Sequence, residues 1–183
     1  MKVLETPLNG LLIIEPKVFS DDRGYFFESF NKEKLKSLGV SYKWVQDNQS
    51  FSEFGTVRGL HFQKGENAQT KLVRVVIGRV LDVVVDLRKE SLTFGQMYSI
   101  ELNDQNHLQL LVPKGFAHGF SVLSKNAVFS YKVDEYYDKS SEGGIRFDDP
   151  DLNIDWGISK SDIKLSLKDE SLPYLKSIRE DLF

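Results

Sequence analysis

Two short stretches hold the residues best able to do chemistry. One is Val57-Arg58-Gly59-Leu60-His61-Phe62-Gln63, followed closely by Lys71-Leu72-Val73-Arg74. The other is Pro113-Lys114-Gly115-Phe116-Ala117-His118-Gly119-Phe120. Each sets a single histidine among β-forming residues. A polar group facing inward is costly unless it is paired or used. An imidazole kept neutral by a neighbouring ammonium can take a proton, and the ammonium can stabilise an oxyanion. Gly65-Glu66-Asn67-Ala68 reads as a turn. A hairpin about it would bring His61 and Lys71 nearly opposite one another. A structural histidine packed beside a snorkelling lysine fits the same residues equally well. Arg58 has the opposite strand parity to His61, so it reaches the same cavity only if Gly59 marks a bulge or bend.

Other candidates are weaker as isolated residues. Asp82 and Asp86 lie four apart in a valine-rich strand and share a face. They read as partners for His118 or Arg74, or as solvent-facing groups, with a structural role slightly favoured. Tyr131 sits centrally in a strand-like run, where a tyrosine is usually core, but it is a competent proton donor if it faces a reacting carbon. Lys168-Asp169, preceded by Ser166, is by itself an ordinary charged surface pair. Pro113-x-Gly115-x-x-His118 matches the second half of the cupin signature, whose members often hold a metal. The first half normally supplies His-x-His, but here the chain reads His61-Phe62-Gln63, with Lys71 where an acidic ligand would be expected. Three histidines and no cysteine make a poor transition-metal site. No metal and no other cofactor are expected.

The elements that must position these groups are mostly strands. Leu11 to Val18 begins as an apolar run broken by Pro16, and Gly24 to Phe30 is aromatic-rich and strand-like. Asn31 caps a short helix that ends at Gly39. Leu72 to Leu87 is a long β run with Gly78 as its bend or turn, and further strands are predicted at 95–102, 108–112, 117–123 and 127–136. A second helix is predicted from about Ser171 to Glu180, with Ser171 as cap and Pro173 in its first turn. Many short strands and few helices predict an all-β fold, a cupin-type double-sheet jelly roll with a few short peripheral helices, as one domain over 1–183. The formal charge of −3 and the lack of a dense basic run argue against nucleic acid. No signal-like N-terminus and no apolar run of membrane-spanning length are visible. A cytoplasmic protein with no membrane partner is expected.

Taken in order, these pieces resemble the dTDP-4-dehydrorhamnose 3,5-epimerase family, a metal-independent branch of the cupins. The likeness runs through Asp22-Arg23-Gly24-Tyr25-Phe26-Phe27-Glu28, Gln46-Asp47-Asn48, the two histidine stretches, Asp82-Val83-Val84-Val85-Asp86-Leu87-Arg88, Tyr131-Lys132, Tyr136-Tyr137, Glu142-Gly143-Gly144-Ile145-Arg146 and Ser166-x-Lys168-Asp169. The resemblance implies that His61 is a base paired with Asp169, Lys71 the cation near a carbonyl oxygen and Tyr131 the acid on the other face. It implies substrate contacts at Arg23, Glu28, Gln46, Asp47, Asn48, Arg58, His118, Tyr137, Glu142 and Lys168. The implied substrate is a dTDP-linked 4-keto-6-deoxy sugar epimerised at C3 and C5. The implied assembly is a homodimer that exchanges N-terminal strands, so that Arg23 and Glu28 could serve the partner's site. An epimerase acting at one carbon needs the same groups. A metal-dependent cupin lacks its His-x-His here, and a non-catalytic sugar-binding jelly roll leaves the histidine, lysine, tyrosine and aspartate without a task.

Overall fold

In a computed structural model, residues 1–179 and 182–183 are described. Among the described residues, thirteen strands run in the order β1 (Lys2–Glu5), β2 (Leu12–Glu15), β3 (Val18–Asp21), β4 (Gly24–Phe27), β5 (Gln46–Glu53), β6 (Val57–Gln63), β7 (Lys71–Ile77), β8 (Arg79–Asp86), β9 (Met97–Asn103), β10 (Gln109–Val112), β11 (Phe116–Val122), β12 (Asn126–Val133) and β13 (Glu142–Gly144). One sheet has the order β1-β2-β10-β7-β12-β5 and the other β13-β6-β11-β8-β9, while β3 and β4 form a separate hairpin. The ladders are antiparallel. The two larger sheets pack face to face as a sandwich.

Alternation along each strand divides the apolar residues among three cores. Val73 and Val75 of β7, Val80 and Val84 of β8, Phe116 and Phe120 of β11, and Phe129 of β12 meet between the sheets. The alternate residues Val83, Val85 and Ala117 face outward, under a C-terminal cover that includes Ile145, Trp156 and Leu175. Leu72 and Leu111 face outward on the other sheet and pack under α1 (Lys32–Ser37) through Leu35. Asn31 caps α1 by accepting from the Lys34 N–H at 3.0 Å, as its side chain predicts. Gly78, at φ +85°, separates β7 from β8. A Cβ there would lie 2.1 Å from the Asn126 carbonyl oxygen, so both the turn and the close approach require glycine.

Two expectations about local structure are corrected. The hairpin expected between β6 and β7 does not form, because the two strands belong to different sheets and a 3-10 turn at Gly65–Asn67 carries the chain across. Among the described residues within the span of the helix expected from Ser171, only one short helix forms, α3 (Leu175–Ile178), and a separate one, α2 (Leu167–Glu170), precedes Ser171. Ser166 is the N-cap of α2 and Ser171 ends it. Pro173 disfavours helical geometry in the residue before it, and its carbonyl accepts from the Arg146 N–H at 2.9 Å instead. The expected end of that helix at Glu180 lies outside the described residues.

Candidate active site

The sandwich opens into a cavity of about 390 Å3 lined by both sheets and by α2. From β6 come Arg58 and His61, from β11 His118, from β7 Lys71, from β12 Tyr131, from β5 Asn48, and from α2 Lys168 and Asp169. His61 and Lys71 therefore meet as residues of opposed sheets rather than as hairpin neighbours.

Arg58 enters the cavity because the parity of β6 is reset. His61 pairs with His118 and Arg58 with Phe120, so three steps along β6 match two along β11. The extra residue falls at Gly59, whose φ is +114° and where a Cβ would lie 2.7 Å from Gly119 Cα and the His118 carbonyl oxygen. Val57 and Leu60 consequently share the outer face while Arg58 and His61 share the inner one. The Arg58 guanidinium is steadied by Nε–H donation to Ser52 Oγ at 3.0 Å.

His61 Nε2 lies 2.5 Å from Asp169 Oδ1. Ser166 sets that carboxylate through the cap of α2, where its hydroxyl oxygen accepts from the Asp169 N–H at 3.1 Å. Burial alone would raise Asp169, but the His61 bond and charge, with Ser166, bring it below the ordinary carboxylate range. A second histidine–aspartate pair lies on the neighbouring strand. His118 Nε2 is 2.9 Å from both oxygens of Asp82. Asp82 and Asp86 are fully buried, so the solvent-facing option is excluded. Asp86 instead anchors a turn, accepting from Arg88 Nε at 2.8 Å, Ser91 Oγ at 2.6 Å and Thr93 Oγ1 at 2.7 Å. Neither carboxylate bonds Arg74, which lies with Lys132 and Gln109 about another hollow.

Burial lowers the Lys71 ammonium to about 8, although the carboxylates of Asp82 and Glu142 pull it back up. Burial raises the Tyr131 phenol, against the opposing charge of Arg58, so it is a neutral donor at neutral pH. At the rim, Lys168 Nζ donates to Glu142 Oε1 at 2.5 Å and Tyr137 Oη donates to Glu142 Oε2 at 3.0 Å. Burial opposes ionisation of Glu142, but these two donors outweigh it and hold its carboxyl low.

Four expected contacts lie elsewhere in this chain. Gln46 stands behind the lining and donates to Asn48 Oδ1 at 2.8 Å. Asp47 points to the other face of β5 and pairs with Lys132 at 2.8 Å. Arg23 is exposed on the β3–β4 turn and pairs with Asp21 at 2.6 Å. Glu28 accepts from Lys34 and, at 2.9 Å, from Asn31. The cavity also contains Phe129, stacked on Phe120 at 4.3 Å. Its position two residues before Tyr131 was the available signal, since like parity puts both on one face. Among the described residues, no three His, Cys, Asp or Glu side chains group as metal ligands. The site instead offers an imidazole able to act as a base, a neutral phenol from the opposed sheet, and a buried lysine, a set suited to moving a proton beside a carbonyl.

A family model described as dTDP-4-dehydrorhamnose 3,5-epimerase matches residues 5–177. The chain belongs to this family. It is 51% identical over 176 residues to the dTDP-4-dehydrorhamnose 3,5-epimerase of Salmonella typhimurium, covering 96% of each chain. A crystal structure of that enzyme from Elizabethkingia anophelis superposes with a TM-score of 0.91 at 54% identity, covering 97% of both chains. A dTDP-6-deoxy-D-glucose-3,5-epimerase from Legionella pneumophila, solved in complex with dTDP-4-keto-L-rhamnose, gives a TM-score of 0.94 at 44% identity, covering 100% of this chain and 96% of that one. The fold is the cupin-type jelly roll of these epimerases, and the protein is an isomerase. No helix among the described residues is long and apolar enough to cross a membrane.

Proposed function

We propose that His61 and Tyr131 perform the two-sided proton transfer by which this epimerase inverts C3 and C5 of dTDP-4-dehydro-6-deoxy-D-glucose, giving dTDP-4-dehydro-L-rhamnose for dTDP-L-rhamnose formation. The observation that carries the assignment is the pair of opposed sheets. His61 and Tyr131 reach one cavity from its two sides, with Lys71 lining it from the sheet that carries Tyr131 and Asp169 bonded to His61.

The chemistry follows from the substrate. The C3 and C5 protons are both α to the C4 carbonyl, so removing either leaves an enolate. His61 takes the proton, and Asp169 orients the ring and stabilises the imidazolium. Lys71 meets the enolate oxygen as negative charge develops there. Tyr131 donates to the opposite face of the same carbon, because a phenol is a stronger acid than the C–H bond formed. The carbon ends with inverted configuration and unchanged oxidation state, so no redox partner enters the balance.

Arg58 and Lys168 are the cations proposed for the diphosphate, Arg in a forked geometry. His118 contacts the sugar, Tyr137 stacks on thymine, Asn48 and Gln46 complete the nucleotide grip, and Glu142 adds a further substrate contact. Arg23 and Glu28, outside their own cavity, act from a partner in a homodimer. The exposed Phe19, Tyr25 and Phe26 of the β3–β4 hairpin support such a contact. The compartment proposed is the cytoplasm. The decisive variant is His61→Ala, which should lose substrate-dependent deuterium uptake at both carbons, by about 10³-fold or more. Full exchange in that variant would remove His61 as the base.

A further inference from the structure

Gln63 is a buried glutamine on β6, two residues beyond His61, and the proton transfer gives it no task. Its side-chain amide is bonded at both ends, as a buried amide must be. Nε2 donates to the Asn67 carbonyl oxygen at 2.7 Å and to the Tyr136 carbonyl oxygen at 3.1 Å, and Oε1 accepts from the Asp138 N–H at 2.8 Å. One amide thus grips the backbone on both sides of Tyr137. The residue paired with Gln63 across β6 and β13 is Glu142, whose Oε2 accepts from Tyr137 Oη at 3.0 Å and whose Oε1 accepts from Lys168 Nζ. A single rung of that ladder therefore holds Tyr137 by its main chain and by its hydroxyl. The residue between these holds stays 54% exposed. Fixing an exposed side chain costs conformational entropy that its own burial does not return. A ring held still and left uncovered is suited to a flat partner, which gains a stacking surface without the cost of ordering it.

We propose that Gln63 is a positioning residue for nucleotide recognition: its amide presets the backbone at Tyr137 so that the ring meets the thymine base in one orientation. This rests on the reading of Tyr137 as the ring that stacks on thymine. His61 pairs with Gly144 two positions along the same ladder, so β6 and β13 set the stacking ring and the imidazole from one piece of backbone. The spacing between the two ends of the substrate is then fixed by strand geometry rather than by a free loop. Asn67, held by the same Nε2, donates from Nδ2 to Ser141 Oγ at 2.8 Å. It ties the 3-10 turn after β6 to the segment that carries Tyr137 and Glu142.

The test is Gln63→Met, which keeps the length and removes both ends of the amide. Binding is read by calorimetry with dTDP and with inorganic pyrophosphate, which has the diphosphate but no nucleobase. Affinity for dTDP should fall about tenfold, the scale of one stack of a nucleobase on an aromatic ring, while affinity for pyrophosphate changes less than about twofold. KM for the sugar nucleotide should rise about tenfold and kcat should change less than about threefold. Unchanged dTDP affinity, or an equal loss for both probes, overturns the proposal. Gln63→Met combined with Tyr137→Ala should bind dTDP no more weakly than Tyr137→Ala alone, because the two act through one ring. A further loss in the double variant shows that Gln63 acts elsewhere and also overturns the proposal. Tyr137→Ala separates the two levels. Full dTDP affinity in that variant removes the stacking reading itself, whereas weakened binding there with an unaffected Gln63→Met removes only the role of Gln63. Should Gln63→Met not fold, amide hydrogen exchange of the wild type decides. The Asp138 N–H should be protected about 10²-fold or more without ligand, and exchange at the rate of an unstructured peptide contradicts the proposal.

Discussion

Two histidine–aspartate pairs sit side by side in this cavity, on backbone positions that pair across β6 and β11, yet their surroundings differ sharply. The His61 side chain retains 30% exposure and its Asp169 partner 6%, whereas His118 retains 7% and Asp82 none. Asp169 sits on the capped first turn of a short helix outside the sheets, and its carboxyl is drawn down in pKa. Asp82 sits within a central strand, and burial pushes its carboxyl up despite His118 and Lys71. The same two residue types are therefore suited to different ends. A base must exchange protons with substrate and water, which needs access. A ring that holds geometry needs a sealed partner instead.

The largest effect that breaks this contrast is expected at Asp169. Asp169→Asn replaces the acceptor with an amide and removes the charge that stabilises the imidazolium, so kcat should drop about 10²- to 10⁴-fold. The acidic limb of the kcat profile should move with it, which steady-state assays across pH would detect. An acidic limb left in place would mean that the exposed pair does not set the base. If Asp169→Asn and Asp82→Asn gave the same profile, the distinction between the pairs would fail.

Tyr131→Phe should come next. Its net inversion should fall about 10²-fold, while solvent deuterium still enters the recovered substrate, because His61 can return a proton to the face it came from. Comparing label uptake with product formation measures this directly. Loss of both in equal measure would place Tyr131 outside the second transfer.

The smallest effect is a pH dependence centred on Lys71. Its ammonium is lowered from 10.5 to about 8, so activity should fall by about tenfold per pH unit above that value if the ammonium is required. Its contribution to stability should run the other way. From about pH 8 towards 10 the unfolded lysine holds more proton than the folded one, so folding gains as pH rises through that window. Thermal melts of wild type and Lys71→Met should therefore converge between pH 8 and 10. A constant difference would contradict the buried, depressed lysine.

Much of the fold was legible because strand alternation and turn residues are local signals. Gly78, the Asn31 cap and the run of valines in β8 each announce themselves within a few residues. What sequence could not supply was the side of the sandwich to which each strand belongs. His61 and Lys71 looked like hairpin partners because they lie ten positions apart with a turn between them, yet the turn crosses from one sheet to the other. Arg58 showed the need for a bend at Gly59 without showing that one exists. The Ser171 helix misread Pro173, whose extended carbonyl bonds Arg146. Asp169 is 108 positions from His61, and only the family resemblance joined them. Arg23 and Glu28 are the converse case. The resemblance groups them with the site, while in one chain they lie outside the cavity.

The central claim is that one base in one cavity, His61, opens both carbons to inversion. Proton NMR of the 4-keto sugar nucleotide incubated in D2O tests it most directly. Deuterium is expected at both C3 and C5 with the wild-type protein and at neither with His61→Ala. Label at a single carbon would make this a one-position epimerase, and undiminished label at both in His61→Ala would remove His61 as the base.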